Sequence, residues 1–239
     1  MKSLLAGASE LNITLNDHHL AAFETCYREL ATWNQQFNLT AITGREGVLV
    51  RHFLDSLSCL KALPRSELEA GVQVVDVGAG AGFPGLPLKI VCPEMRLTLL
   101  EATRKKVTFL EHLVSVLELK QVQVIHGRAE DLGHHPAHRE QYDQALARAV
   151  AEMPTLAEYL LPLVRVGGTI VAQKGEGAAA EVHGAEAAIT TLGGRVRQLM
   201  PVELRGLAET RYLVVVDKVA ATPEKYPRRP GMPQKRPIN

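Results

Sequence analysis

Apolar positions change their spacing three times along the chain. Over residues 1–65 they recur at helical intervals. Leu20, Phe23, Tyr27, Leu30 and Phe37 lie on one helix face, with Asn16-Asp17 where the N-cap belongs. A second amphipathic run carries Val50, Phe53, Leu54, Leu57 and Leu60. The segment between them, Asn34-Gln35-Gln36-Phe37-Asn38-Leu39-Thr40, is too rich in amides for plain core. Pro64-Arg65-Ser66 breaks the helical pattern, and from Val72 short apolar runs alternate with amphipathic stretches. Strands are predicted over 72–77, 96–101, 121–126, 143–150 and 169–173, with helices between them. The clearest helix spans 105–119, with Val107, Leu110, Leu113, Val114 and Leu117 on one face. This alternation predicts an α/β fold with a parallel sheet and helices on both faces. Two final runs, 195–204 and 211–219, are joined only by a loop around Gly206, which predicts an antiparallel pair and a seven-stranded, mostly parallel sheet. Beyond it Pro223, Pro227, Pro230, Pro233 and Pro237 recur every three or four residues, a spacing that forbids helix and favours extended chain. The expected organisation is a helical segment (1–65) packed on an α/β domain (66–222), followed by a basic, proline-rich tail (223–239).

Composition narrows the picture. The 239 residues, 46% of them apolar, suit one large α/β domain plus an appendage. No apolar run approaches the length of a membrane span, and the stretch after Met1 is too short for a secretory signal. Cys26, Cys59 and Cys92 are widely spaced and odd in number, which implies a reduced, cytosolic compartment without a disulfide framework. The net charge of +1 does not announce a nucleic-acid binder, but its distribution is uneven. Arg104-Lys105-Lys106 form one basic cluster. From Lys225 onward the chain holds Lys225, Arg228, Arg229, Lys235 and Arg236 and no acid. Each patch reads either as a phosphate grip or as a solvated face.

The segment richest in candidate chemistry is Val74-Val75-Asp76-Val77-Gly78-Ala79-Gly80-Ala81-Gly82-Phe83-Pro84-Gly85, where an apolar strand runs into a glycine-rich turn. No Gly-Lys-Ser/Thr follows, so it is not a P-loop. The dinucleotide fingerprint fits only from Gly80, two residues late and with Pro84 inside it. Asp76, two residues before Gly78, is poorly placed beside a pyrophosphate but suits the ammonium of a methionyl group, which favours S-adenosylmethionine over NAD. Glu101 ends the second strand, where a carboxylate can accept hydrogen bonds from ribose hydroxyls, unless it merely caps the helix beginning near Arg104. Gly127-Arg128-Ala129-Glu130-Asp131 ends the third strand, at the adenine edge of such a site, where the backbone of Ala129 and Glu130 could pair with the ring.

Arg51-His52-Phe53-Leu54-Asp55-Ser56, the Asp76–Pro87 loop, Arg104-Lys105-Lys106 and Tyr226-Pro227-Arg228-Arg229-Pro230-Gly231 together resemble the RsmG (GidB) family of bacterial 16S ribosomal RNA guanine-N7 methyltransferases. The likeness runs from about Trp33 to the C-terminus. It implies a Rossmann-like class I methyltransferase fold, S-adenosylmethionine as cofactor, and a guanine of 16S ribosomal RNA (position 527 in the family) as target. It also implies cofactor contacts at Gly78, Phe83, Glu101, Ala102, Thr103, Ala129, Glu130 and Arg148, to which the reading of the loop adds Asp76 and Gly80. Ala102 replaces a serine frequent in the family, and Ile238 a leucine.

Guanine N7 carries a lone pair and no proton, so methyl transfer to it requires position rather than a general base. No catalytic acid or base is assigned. Cytosine C5 chemistry would need a cysteine beside the fourth strand, and the only Cys-Pro pair, Cys92-Pro93, follows the first helix instead. Exocyclic adenine chemistry would need an Asn/Asp-Pro-Pro-aromatic loop where Arg148-Ala149-Val150-Ala151 stands. Candidate RNA contacts are Arg104, Lys105, Lys106, Arg228, Arg229, Lys235, Arg236 and Lys174, the last at the carboxyl end of the fifth strand, where a plain surface lysine is the alternative. His134-His135-Pro136-Ala137-His138 lacks further ligands at metal spacing, so no metal is expected. The expected partner is 16S ribosomal RNA or the assembling small subunit, met by a monomer. Two alternatives stay open: a methyltransferase on another substrate, and a non-catalytic RNA-binding assembly factor.

Overall fold

Strand alternation divides the core into two layers. In the computed structural model, which describes residues 1–63 and 65–238, Val74 packs into one apolar cluster while its neighbours Val75 and Val77 pack into the other. Pro64, part of the expected break, lies outside the described residues. The first cluster joins the sheet to helices Asp17–Phe37, Gly85–Val91 and Arg104–Val116 through Phe23, Leu86 and Phe109. The second joins it to helices Met153–Leu160 and Glu186–Thr191 through Leu156 and Ile189. Helices therefore cover both faces, as a largely buried parallel sheet requires.

Seven strands form the sheet: β1 (Gln73–Val77), β2 (Arg96–Glu101), β3 (Val122–His126), β4 (Tyr142–Arg148), β5 (Val164–Lys174), β6 (Gly194–Val202) and β7 (Arg211–Lys218). Their order is β3-β2-β1-β4-β5-β7-β6. The first five are parallel, with Val75 opposite both Thr98 and Ala145. β7 enters antiparallel between β5 and β6, with Ile170 opposite Val216 and Val196 opposite the same residue on the far side. The chain leaves β1 toward β2 and β3, then returns to the other side of β1 with β4. That reversal opens a crevice at the carboxyl ends of β1 and β4, the usual ligand position in such sheets.

The N-terminal segment is helical, as expected, and adds helix Lys2–Glu10 before the predicted cap. Asn16 caps helix Asp17–Phe37 by accepting from the His19 amide at 2.9 Å, and the His19 ring returns the bond to the Asn16 amide. The amide-rich segment closes the following turn: Asn34 Oδ1 accepts from the Thr40 amide and Asn34 Nδ2 donates to the Thr40 carbonyl. The second amphipathic run is not one plain α-helix. Leu49–Leu54 is wound as a π-helix between short α-helical pieces. π-helical turns often mark functional positions.

Two boundaries differ most from expectation. β5 begins at Val164, five residues before the expected start, because the exposed Arg165-Val166-Gly167 stretch hides its early alternation. The helix predicted over 105–119 ends at Val116, and Glu118 has positive φ. The tail departs further. Met232–Lys235 is a helical turn with Pro233 inside its first turn, where its missing N–H costs nothing.

Candidate functional site

The glycine turn is built from β1 outward. Gly78 N and Ala79 N donate to the Leu100 carbonyl at 2.8 and 3.1 Å, which ties the turn to the end of β2. Gly78 has φ +70°, and a Cβ there would lie 2.7 Å from Val150 Cγ2. The need for glycine thus arises from backbone conformation and from Val150, rather than from a ligand's approach alone. At Gly80 (φ +60°) a Cβ would meet only the Gly78 carbonyl, at 3.8 Å, so its surroundings are open.

Glu101 fastens the turn from the other side. Its Oε2 accepts from Gly80 N at 3.0 Å and its Oε1 from Thr103 N at 2.8 Å. The Thr103 bond fixes the residue before helix Arg104–Val116 without capping that helix; the Gly80 bond adds a link to the turn. A carboxylate has about four acceptor sites, so two remain for further donors such as ribose hydroxyls.

Asp76, expected near the methionyl ammonium directly or through water, lies inside the fold. It is fully buried, sharing the Val74 side of β1 rather than opening to the crevice. Its Oδ2 accepts from Gly85 N at 2.8 Å, and its Oδ1 has no partner among the described residues. Burial pushes its pKa up to about 7, against the lowering effects of the Gly85 amide and Arg148. The residue clamps the helix that follows the turn; contact with a methionyl group would be indirect.

Ala129 and Glu130 are buried at the start of helix Ala129–Leu132, just beyond β3. The Glu130 carboxylate is engaged with the tail, accepting from Gly231 N at 2.8 Å, which leaves backbone groups as this segment's candidate contacts. Ala102 and Thr103 are exposed between β2 and the next helix.

Beside the turn lies a stack that the sequence did not reveal. Phe83 packs flat on the His52 ring, centroids 4.5 Å apart at 13°, and the Arg148 guanidinium sits 5.1 Å over Phe83. Arg148 Nη1 donates to Asp55 Oδ2 at 2.9 Å and to the Arg51 carbonyl, and its Nη2 lies 3.1 Å from His52 Nδ1. Burial, reinforced by Arg148, lowers the His52 pKa to about 3, so the ring is neutral at physiological pH. Arg51, His52, Asp55 and Arg148 line a cavity of about 410 Å³ at the carboxyl ends of β4 and β5, together with Gln173 and Lys174. Arg51–Ser56 stood out in the sequence as a motif without a role, and the π-helix is what turns it toward Arg148.

Two predicted RNA contacts need correction. Lys174 reaches the ligand face, but its side chain is only 9% exposed; Nζ donates to the Ala151 carbonyl and pairs with Glu181 at 2.6 Å. Arg228 is committed to the fold. Its backbone N and its guanidinium both donate to Glu158, whose carboxylate is fully buried. The tail is strapped down further by Arg139, which donates to the Tyr226 and Thr222 carbonyls, and by Thr155 Oγ, which donates to the Pro233 carbonyl. By contrast Arg104, Lys105, Arg229, Lys235 and Arg236 are exposed, and Lys106 is half-buried. Among the described residues no cluster of His, Cys, Asp and Glu could hold a metal ion, and no helix is long and apolar enough to cross a membrane.

The residues fit S-adenosylmethionine: an open, anchored glycine turn and spare acceptor sites on Glu101 meet at the switch in strand order. Comparison with known proteins points the same way. Residues 19–207 match the GidB family model, described as rRNA small subunit methyltransferase G. The chain is 49% identical over its full length to the ribosomal RNA small subunit methyltransferase G of Roseiflexus sp. (strain RS-1), which it covers entirely. It is 48% identical to the protein of that name from Pelotomaculum thermopropionicum, over 99% of this chain and 98% of the relative. In fold it is similar to a SAM dependent methyltransferase from Aquifex aeolicus, with a TM-score of 0.51 and 21% identity over 70% of this chain and 95% of that one.

Proposed function

The chain belongs to the rRNA small subunit methyltransferase G (GidB) family of S-adenosylmethionine-dependent methyltransferases, and from that premise we propose that it methylates N7 of a guanine in 16S ribosomal RNA, at the position numbered 527 in the family. The observation that carries the reading is the Glu101 carboxylate, which links the Gly80 amide to the end of β2 and keeps acceptor sites free at the crevice.

When bound, S-adenosylmethionine supplies an electrophilic methyl group on a sulfonium sulfur. The Gly78–Phe83 turn and the Glu101 carboxylate would hold it, with the backbone at Ala102-Thr103 and Ala129-Glu130 flanking the nucleoside. Phe83 of the turn stacks under Arg148, which lines the neighbouring cavity. The protein's part in the reaction is to hold the acceptor in line, within about 3–3.5 Å of the methyl carbon. His52, the imidazole nearest this point, is held neutral and weakly basic, which suits an acceptor that has no proton to lose.

Exposed cations would grip the RNA. Arg104, Lys105 and Lys106 open helix Arg104–Val116, where the helix dipole disfavours positive charge. Cations retained against that field suit a ligand anion better than they suit the helix. Arg229, Lys235 and Arg236 add a second patch on the strapped tail. The substrate would be met in the cytoplasm, as RNA or within the assembling small subunit.

Incubating the protein with methyl-labelled cofactor and 16S ribosomal RNA, free or in assembling subunits, tests the reading. Label should enter the RNA. Cofactor binding without transfer to either substrate would leave a binding factor instead.

A further inference from the structure

Three polar atoms beside the cavity at the ends of β4 and β5 are buried without hydrogen-bond partners among the described residues: Asp55 Oδ1, Gln173 Oε1 and Arg211 Nε. Asp55 and Gln173 are 2% and 4% exposed, so neither is satisfied by bulk water in passing. The rest of each side chain is already fixed. Asp55 Oδ2 is taken by Arg148, and Gln173 Nε2 donates to the Asp55 carbonyl at 2.6 Å, which leaves the amide oxygen as the group without a partner. Arg211 Nε stands 3.6 Å from Asp55 Oδ1, close enough for charge attraction and too far for a hydrogen bond. Buried polar atoms left without hydrogen bonds destabilise a fold, so a group of three around one cavity calls for a ligand rather than for stability.

We propose that this cavity receives the acceptor guanine and that Asp55, with Gln173, reads its Watson–Crick edge. The proposal rests on the guanine-N7 reading above and names the groups that would make it selective. That edge offers two donors, N1–H and the 2-amino group, beside one acceptor, O6. The residues that line the cavity carry two acceptors without hydrogen-bond partners, Asp55 Oδ1 and Gln173 Oε1, and one such donor, Arg211 Nε. Adenine presents an acceptor at N1 and would leave a buried oxygen facing a lone pair. The neutral His52 ring lines the cavity and stacks on Phe83 of the glycine turn. Asp55 is in this account a specificity residue: its Oδ1 accepts from the 2-amino group.

The test compares 16S ribosomal RNA carrying guanosine with the same RNA carrying inosine, which lacks the 2-amino group, at the position the wild-type protein methylates. Wild type should prefer guanosine in kcat/KM by about tenfold or more, the loss expected when a hydrogen bond to a charged group is removed. In Asp55→Asn that ratio should collapse toward the intrinsic reactivity difference of the two bases. Any change in cofactor affinity or in the amount of folded protein affects both substrates alike and cancels in the ratio. Equal use of inosine and guanosine by wild type would overturn the proposal without a variant being needed, and would leave the methyltransferase reading intact. A guanosine preference that survives Asp55→Asn would remove Asp55 from the role. Failure of wild type to methylate the guanosine RNA would overturn the N7 reading, and this inference with it.

Discussion

Asp76 and Glu101 are buried carboxylates on either side of one glycine turn, yet they answer to different tests. Asp76 has a pKa raised to about 7, chiefly by burial. In the unfolded chain the same carboxyl ionises near its ordinary value of about 3.9. Between those values the folded protein holds a proton that the unfolded chain has released, so stability falls as pH rises from about 4 to about 7. Asp76→Asn keeps an acceptor for Gly85 N and cannot ionise. Urea midpoints at pH 5 and pH 8 should show the wild type losing ground to the variant, and a constant difference would contradict the raised pKa. Glu101→Ala should weaken binding of S-adenosylmethionine and of its demethylated product alike, by roughly ten- to hundredfold, because both keep the ribose. Calorimetry reads this directly, and an unchanged affinity would return Glu101 to a purely structural role. The position of Glu101 was legible from the end of the second strand. The direction of Asp76 was not, because strand alternation sends it to the Val74 side and toward Gly85.

At the scale of elements, what the chain hides is pairing between residues far apart. The strands announced themselves because apolar runs of their length recur between amphipathic stretches, and β1 through β5 fall on the predicted runs. Lys174 was correctly expected at the ligand face, but nothing local signals Glu181 as its partner. Arg228 looked like a phosphate contact because its neighbours are basic, and Glu158 lies 70 residues upstream. The same is true of Arg148 and Asp55, 93 residues apart, which meet only because a π-helix breaks the regular α-helical phase of the run around Phe53. The strap has a measurable consequence. Arg228→Ala leaves the buried Glu158 charge uncompensated and should cost about 3–5 kcal/mol, seen as a lowered Tm. Glu158→Gln combined with Arg228→Ala should recover part of that loss. If Arg228→Ala left Tm unchanged, the strap would be ornamental.

Over the whole molecule, near-neutral net charge and local cation patches separate affinity from stability. Arg229→Gln, Lys235→Gln and Arg236→Gln together should weaken RNA binding and flatten its salt dependence. The slope of log affinity against log salt should fall by about 0.7–0.9 for each phosphate no longer neutralised. Their cofactor affinity should match wild type, because none of the three lies at the glycine turn. A slope that stays the same would confine the tail to its strapping role. The most direct test of the central claim is the chemical identity of the product. After reaction with 16S ribosomal RNA and S-adenosylmethionine, the RNA is digested to nucleosides and analysed by mass spectrometry. The account predicts 7-methylguanosine as the new nucleoside; methyl-adenosine, methyl-cytidine or an exocyclic N2-methylguanosine in its place would contradict it.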